Sequence, residues 1–216
     1  MTTRSQINLL NLLRCKYKEE EYGNHKYIII PATPAKGILY LTQNSPGYIS
    51  GHVRARGREN GSYPYNYLEM IDTVFGKEDN TIEVCAGMLK KHGYTNCFTV
   101  DVNSNTNPDL VDDGRLLSSL QNAIFNRWRC DPPYNVKTAK KMYGTELPAP
   151  IDLLRAGTRV CKVGALMFLL VGHTSYQPAP QGVKRIGHIS ISIIPNNEVR
   201  DLNIFYKYAD ELGSTK

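Results

Sequence analysis

Long apolar runs are what this 216-residue sequence most clearly lacks. The longest, Val163 to Val171, falls far short of the roughly 20 residues that a membrane-spanning helix needs, so no such span is expected. Cysteines are few and unpaired by spacing: Cys15, Cys85, Cys97, Cys130 and Cys161 contain no C-x-x-C. That excludes a zinc ribbon or a dithiol redox motif and predicts a reducing, cytoplasmic setting. His25, His52, His92, His173 and His188 have no metal-ligand spacing, so no metal is expected. Internal repeats and low-complexity tracts are missing too, which excludes a solenoid or a fibrous chain. The start, Met1-Thr-Thr-Arg-Ser-Gln-Ile, lacks the basic-then-apolar build of a secretion signal and reads as a helix start.

What is there suits one folded domain with an N-terminal extension. The chain is 41% hydrophobic, enough for a substantial core, and carries 26 Lys+Arg against 20 Asp+Glu. A net charge of +6 and a pI near 9.0 point modestly toward a polyanionic partner. From about residue 65 onward, helical and strand patterns alternate. Leu68, Ile71, Val74 and Phe75 recur at helical spacing after Ser62-Tyr63-Pro64, a cap followed by a first-turn proline. Tyr63-Pro-Tyr-Asn-Tyr67 suits core or cofactor contact better than base stacking. Residues 81–86 and 97–101 read as strands joined by a short crossover over 88–94. Residues 116–124 look helical, 125–130 form a short strand, and 138–143 and 151–159 are helix candidates. Val163 to Val171 has the continuous apolar pattern of a strand covered on both faces. Residues 189–194 and 201–206, joined by Pro195-Asn-Asn197, predict an antiparallel hairpin. Strands alternating with helices imply an α/β fold. In the first 61 residues, 7–13 suggest a short helix, 27–30 and 37–41 suggest strands, and the Gly/Arg-rich stretch 47–61 suggests a long loop, functional or disordered.

Asp131-Pro132-Pro133-Tyr134 is the most informative tetrapeptide, because it follows a short strand and precedes a helical segment. Its two prolines stiffen the backbone and remove two N–H donors, so a carboxylate, free carbonyls and an aromatic ring are presented at a fixed angle. That suits methylation of an exocyclic amine. Asp131 and a proline carbonyl accept hydrogen bonds from the NH2, Tyr134 stacks on the base, and positioning carries the rate. A base within a duplex would first be flipped out.

On these residues the chain resembles the class I, S-adenosylmethionine-dependent amino methyltransferases, whose signature is (Asp/Asn/Ser)-Pro-Pro-(Tyr/Phe/Trp). The resemblance covers about residues 62–208. It implies a Rossmann-like α/β fold with a seven-stranded sheet, six strands parallel and one antiparallel in a C-terminal hairpin. It also implies residues 1–61 as a basic extension and 62–216 as the methyltransferase domain. By the same resemblance Glu83, Cys85, Ala86 and Gly87 form the cofactor loop, Asp101 accepts the ribose hydroxyls, and Asp113, with Asp112 as the alternative, meets the adenine amino group. S-adenosylmethionine is the implied cofactor. The chain departs from the pattern at Met88-Leu89, where a second glycine is common, and in having no separate target-recognition domain. Recognition is therefore expected from the N-terminal extension or from a protein partner.

Nucleic-acid contacts are expected from Arg54, Arg56 and Arg58, alternating in a glycine-rich setting, and from Lys137, Lys140 and Lys141 just past the catalytic tetrapeptide. The expected activity is methylation of adenine N6 or cytosine N4 in DNA. RNA bases (adenine N6 or guanine N2), a protein glutamine amide, and a non-catalytic nucleic-acid-binding subunit of the same fold are the alternatives. Glutamine methyltransferases usually carry Asn at the position of Asp131, which argues against that one.

Overall fold

A computed structural model describes residues 19–22, 25–32, 37–45, 48–56, 63–64, 67–172, 177–194 and 198–210. The expected helix over residues 7–13 and the turn at 195–197 lie outside them. Strands run β1 (Glu19–Tyr22), β2 (His25–Ala32), β3 (Gly37–Ser45), β4 (Tyr48–Arg56), β5 (Thr81–Val84), β6 (Phe98–Asp101), β7 (Leu110–Val111), β8 (Phe125–Cys130), β9 (Cys161–Gly172), β10 (Val183–Ile194) and β11 (Glu198–Lys207). Helices α1 (Tyr67–Phe75) and α2 (Pro150–Val160) cover the sheet.

All eleven strands hydrogen-bond into one sheet, ordered β1-β2-β3-β4-β10-β11-β9-β8-β5-β6-β7. Strands β9, β8, β5, β6 and β7 are mutually parallel, β11 is antiparallel to β9, and β10 is antiparallel to β11. The seven strands from β10 to β7 thus contain six of one direction and one reversed, the Rossmann-like, class I methyltransferase-type sheet that the resemblance implies. Beyond them, β1 to β4 form an antiparallel meander joined through β4, which lies parallel to β10.

Alternation along the strands separates two apolar layers. On one face Phe168 and Leu170 of β9 meet Leu202 and Ile204 of β11, Ile189, Ile191 and Ile193 of β10, and Leu68, Ile71 and Val74 of α1. On the other, Met167, Leu169 and Val171 meet Phe205, Trp128, and Leu153, Leu154 and Val160 of α2. The apolar run in β9 is thus continuous because both its faces are covered. Helix α2 begins with Pro150 in its first turn, and its C-terminal end is bonded by the buried Lys207, whose ammonium donates to Thr158 O and Cys161 O at 2.9 and 2.8 Å.

Two element expectations are corrected. Residues 116–124 form turns, not a helix. Leu117 and Ala123 take φ of 48° and 53°, which a right-handed helix cannot contain. Arg159 instead donates to the carbonyls of Leu116, Leu117 and Leu120, while Ala123 N and Ile124 N bond to Arg159 O and Val160 O. The expected loop over residues 47–61 is largely strand β4, because its backbone finds partners on both sides, β3 and β10, and Val53 enters the core.

Gly157 marks the closest approach of α2 to the sheet. A Cβ there would fall 2.7 Å from Cε2 and Nε1 of the fully buried Trp128 and 3.0 Å from Met167. Gly157→Ala should gain about 1 kcal/mol of helix propensity but lose about 1–3 kcal/mol to overpacking against a rigid indole. A net loss, read as a lower urea midpoint at unchanged m, is the expected outcome.

Candidate functional site

From β5 the chain proceeds to β6 and β7 on one side, and it returns as β8 on the other. The reversal leaves a crevice beyond the C-terminal ends of β5 and β8, the place where open α/β sheets bind ligands. Both signature segments lie there. Cys85-Ala86-Gly87 leaves β5, Asp131-Pro132-Pro133-Tyr134 leaves β8, and Asp131 N donates to Val84 O at 3.4 Å.

The loop after β5 turns sharply, with φ of 57° at Cys85 and 51° at Gly87. Glycine adopts that conformation freely, whereas Cys85 adopts it against its Cβ. Ala86 N donates to Val100 O at 3.1 Å and Gly87 N to Asp101 Oδ2 at 2.8 Å, so the loop is bolted to the end of β6. Asp101 Oδ1 accepts from Asn103 N at 2.8 Å. Burial pushes the Asp101 carboxyl up, and these N–H donors pull it back.

Cys85, Asp101, Asp112, Asp113 and Pro133 line one cleft, with Val102, Gly114, Thr145 and Leu153 among its other walls and about 510 Å3 of empty space partly open to solvent. The structure therefore brings together three of the expected cofactor residues and one of the catalytic tetrapeptide. Asp113 is held by Arg115 at 2.6 Å, and this hydrogen bond keeps its carboxyl below the usual range. Asp113 N donates to Asp112 Oδ1 at 2.7 Å.

Glu83, Ala86 and Gly87 are not among the residues lining that cleft. Strand alternation turns Glu83 to the α1 face, where its fully buried carboxylate pairs with Arg129 Nε of β8 and accepts from Tyr63 Oη at 2.9 Å. Tyr63 and Tyr67 stack with centroids 4.8 Å apart, in keeping with a core role.

Within the tetrapeptide, Pro132 is buried and Asp131, Pro133 and Tyr134 are half-buried. Tyr134 Oη donates to Asp131 Oδ1 and accepts from Arg200 Nη1 of β11 at 2.9 Å. The Arg200 guanidinium carbon also sits 4.4 Å from the centroid of the Tyr134 ring, at cation–π range. One face of that ring is therefore covered by the guanidinium. Burial pushes the Asp131 carboxyl up to about 7, against the opposing charge of Arg200 and the hydrogen bond from Tyr134. Sequence reasoning missed Arg200, since it arrives through the β9–β11 pairing that sets it opposite Gly172. A Cβ at Gly172 would come within 3.4 Å of the Tyr134 Cβ, so the register is read directly by the site.

Lys137, Lys140 and Lys141 are exposed on the helical segment that follows Tyr134, whose start is capped by Asn135 accepting from Thr138 N at 2.8 Å. Arg54 and Arg56 lie in β4, paired in register with Ser192 and Ile194 of β10, rather than on a pliable loop. Arg58 lies outside the described residues. Because β4 shares its direction with β8, positions 54 and 56 fall toward the same end of the sheet as the cleft, four strand spacings or about 19 Å away.

No protein-family model and no curated protein sequence matches the chain. Solved structures do. TrmN from Thermus thermophilus aligns with a TM-score of 0.46 and 11% identity, over 68% of this chain and 50% of its own length. A structure described as the conversion of a disulfide bond into a thioacetal group during echinomycin biosynthesis aligns at 0.45 and 11%, over 71% and 85%. A tryptophan-to-alanine mutant of the 16S rRNA (adenine(1408)-N(1))-methyltransferase from Catenulisporales acidiphilia, with cosubstrate SAM, aligns at 0.39 and 10%, over 60% and 85%. The chain thus spans half the length of TrmN.

The raised Asp131 value has a consequence for stability. In the unfolded chain the carboxyl titrates near 3.8, in the folded chain near 7. The folded state therefore binds the extra proton between these values, and stability is lost as pH rises from the lower value through about 7. Asp131→Asn should remove this loss. Urea unfolding at pH 5 and 8 should show a smaller drop for the variant than for the parent chain.

Proposed function

We propose that this chain transfers a methyl group from S-adenosylmethionine to an exocyclic amine of a nucleic-acid base, with adenine N6 or cytosine N4 of DNA as the first substrates to test. One observation supports this reading: Pro133 of the Asp131-Pro132-Pro133-Tyr134 segment lines the same cleft as Cys85, Asp101 and Asp113, beyond the C-terminal ends of the parallel strands.

S-adenosylmethionine, when bound, supplies an electrophilic methyl group. Asp101 at the end of β6 accepts the ribose hydroxyls with whatever capacity its bonds to Gly87 and Asn103 leave, and Asp113, beyond β7, accepts from the adenine amino group. Cys85, which lines the cleft, would lie beside the methionine part, with Ala86 and Gly87 fixing its turn. Glu83, tied to Arg129 and Tyr63, supports that loop from beneath rather than meeting the ligand. Asp131 would accept a hydrogen bond from the target NH2, a proline carbonyl of the segment would accept the second, and Tyr134 would stack on the base. These acceptors would orient the nitrogen lone pair for methylation, and the Asp131 carboxylate would take the proton that the amine loses. The positive surplus, the exposed lysines beside the tetrapeptide, and Arg54 and Arg56 at the same end of the sheet favour a polyanion over a protein amide as substrate.

Asp131→Ala should lower methyl transfer by about 100-fold or more, the scale of losing a preorganised polar contact, while S-adenosylmethionine binding by calorimetry stays close to that of the parent chain. Asp101→Ala should do the reverse first, weakening cofactor binding by roughly 10–100-fold. Labelled methyl transfer to separate pools of DNA, RNA and protein, followed by identification of the modified residue, tests the substrate. Label in the protein pool alone would overturn the nucleic-acid reading.

A further inference from the structure

Arg200, Tyr134 and Asp131 form a directed chain. A permanently charged guanidinium donates to a phenolic oxygen at 2.9 Å, and the phenol in turn donates to one carboxylate oxygen, Oδ1. Among the described residues no side-chain or backbone donor is bonded to Oδ2. One carboxylate oxygen is thus engaged, and the other keeps its acceptor capacity. The phenol cannot rotate its proton elsewhere at low cost, because Arg200 both donates to its oxygen and lies against its ring.

We infer that Arg200 is a positioning residue: acting through Tyr134, it fixes the orientation of Asp131 and favours its ionised form, so that Oδ2 stands as the acceptor for the incoming amine. The consequence for methyl transfer rests on the function proposed above, but the arrangement itself does not. An acceptor that gained a proton would become a donor facing a donor, and the amine would lose its orientation. Burial works in that direction at Asp131, and so do the acids that face it, Glu83 of β5 and Glu198 of β11. The remaining neighbours are Cys130 of β8 and the phenols of Tyr63 and Tyr67, all driven by burial toward their neutral forms. Arg200 is the cation acting on this carboxyl, and Tyr134 is its hydrogen-bond donor. The arginine itself is kept charged, burial notwithstanding, by Tyr134, Asp131 and Glu198. A lysine at 200 would keep the charge but lose the planar stacking on the ring.

The test reads Asp131 directly, without cofactor or substrate. Carboxyl-labelled aspartate is followed by 13C NMR across pH in the parent chain, with Asp131→Asn assigning the signal. Arg200→Gln should move the Asp131 midpoint upward by about one unit or more, the scale set by one adjacent opposite charge. Tyr134→Phe, which keeps the ring and removes the hydroxyl, should move it in the same direction, and Arg200→Lys should recover part of the shift. A folded Arg200→Gln or Tyr134→Phe chain with an unmoved midpoint would overturn the inference. Where methyl transfer is measurable, Arg200→Gln should displace the acidic limb of the pH–rate profile upward and lower kcat more than it raises KM. A uniform loss at every pH would mean a merely structural arginine. Absence of methyl transfer in the parent chain would count against the proposed function and leave the titration result standing.

Discussion

The buried pair between Glu83 and Arg129 is the interaction on which the site's geometry depends. It links β5 to β8, the two strands whose ends frame the crevice, and it does so with charges withdrawn from water. Burial alone pushes Glu83 up, so the pair persists only with its supports. Tyr63 donates to Glu83, and Arg129 also reaches Asp72 of α1 at 3.3 Å. Arg127, two residues earlier on the same face, meets Asp72 at 3.2 Å and donates to Gly76 O at 2.8 Å. Helix α1 is therefore held by an ionic net at its acidic side and by Leu68, Ile71 and Val74 at its apolar side. Such a net adds little to stability compared with an apolar replacement, yet losing one partner leaves a charge stranded, so it specifies which strands sit together more than how tightly.

That net explains why Glu83 is absent from the cleft. In a parallel sheet covered on both faces, alternation decides direction before chemistry does: Ile82 and Val84 join the α2 layer, so Glu83 must turn toward α1. The residue type at the end of β5 was legible in the sequence, but its face was not, because Arg127 and Arg129 read as ordinary polar positions in a short strand. Their burial follows from α1 lying above them.

Legibility followed the range of the interaction. The β9 run, the β10–β11 hairpin, helix α2 and the tetrapeptide after β8 are encoded in contiguous residues, and they stand where the sequence implied. Asp101 and Asp113 share this property, each sitting at or just past a strand end, so their convergence follows once strand order is fixed. Strand β4 was not legible because glycines and arginines give a weak strand pattern, and its pairing with β10 spans more than a hundred residues of chain. Residues 116–124 look helical, yet Arg159 of the neighbouring helix α2 claims the carbonyls of Leu116, Leu117 and Leu120. In both cases a distant backbone partner outweighed local preference.

The antiparallel strand shows the same logic acting on the site. Strand β11 pairs with β9 and with β10, and its register with β9 places Arg200 opposite Gly172, beside Tyr134. A slip of one residue would turn Arg200 to the other face and bring the polar Asp201 and Asn203 against the α1 layer. The apolar alternation of Leu202, Ile204 and Phe205 forbids that slip, since these residues fill the two cores at full burial. The same packing that closes the core thus delivers a cation to a carboxylate more than sixty residues earlier in the chain. Nothing local to Asp131 calls for an arginine there. The requirement becomes visible only when the carboxyl is buried beside two other acids and still has to act as an acceptor.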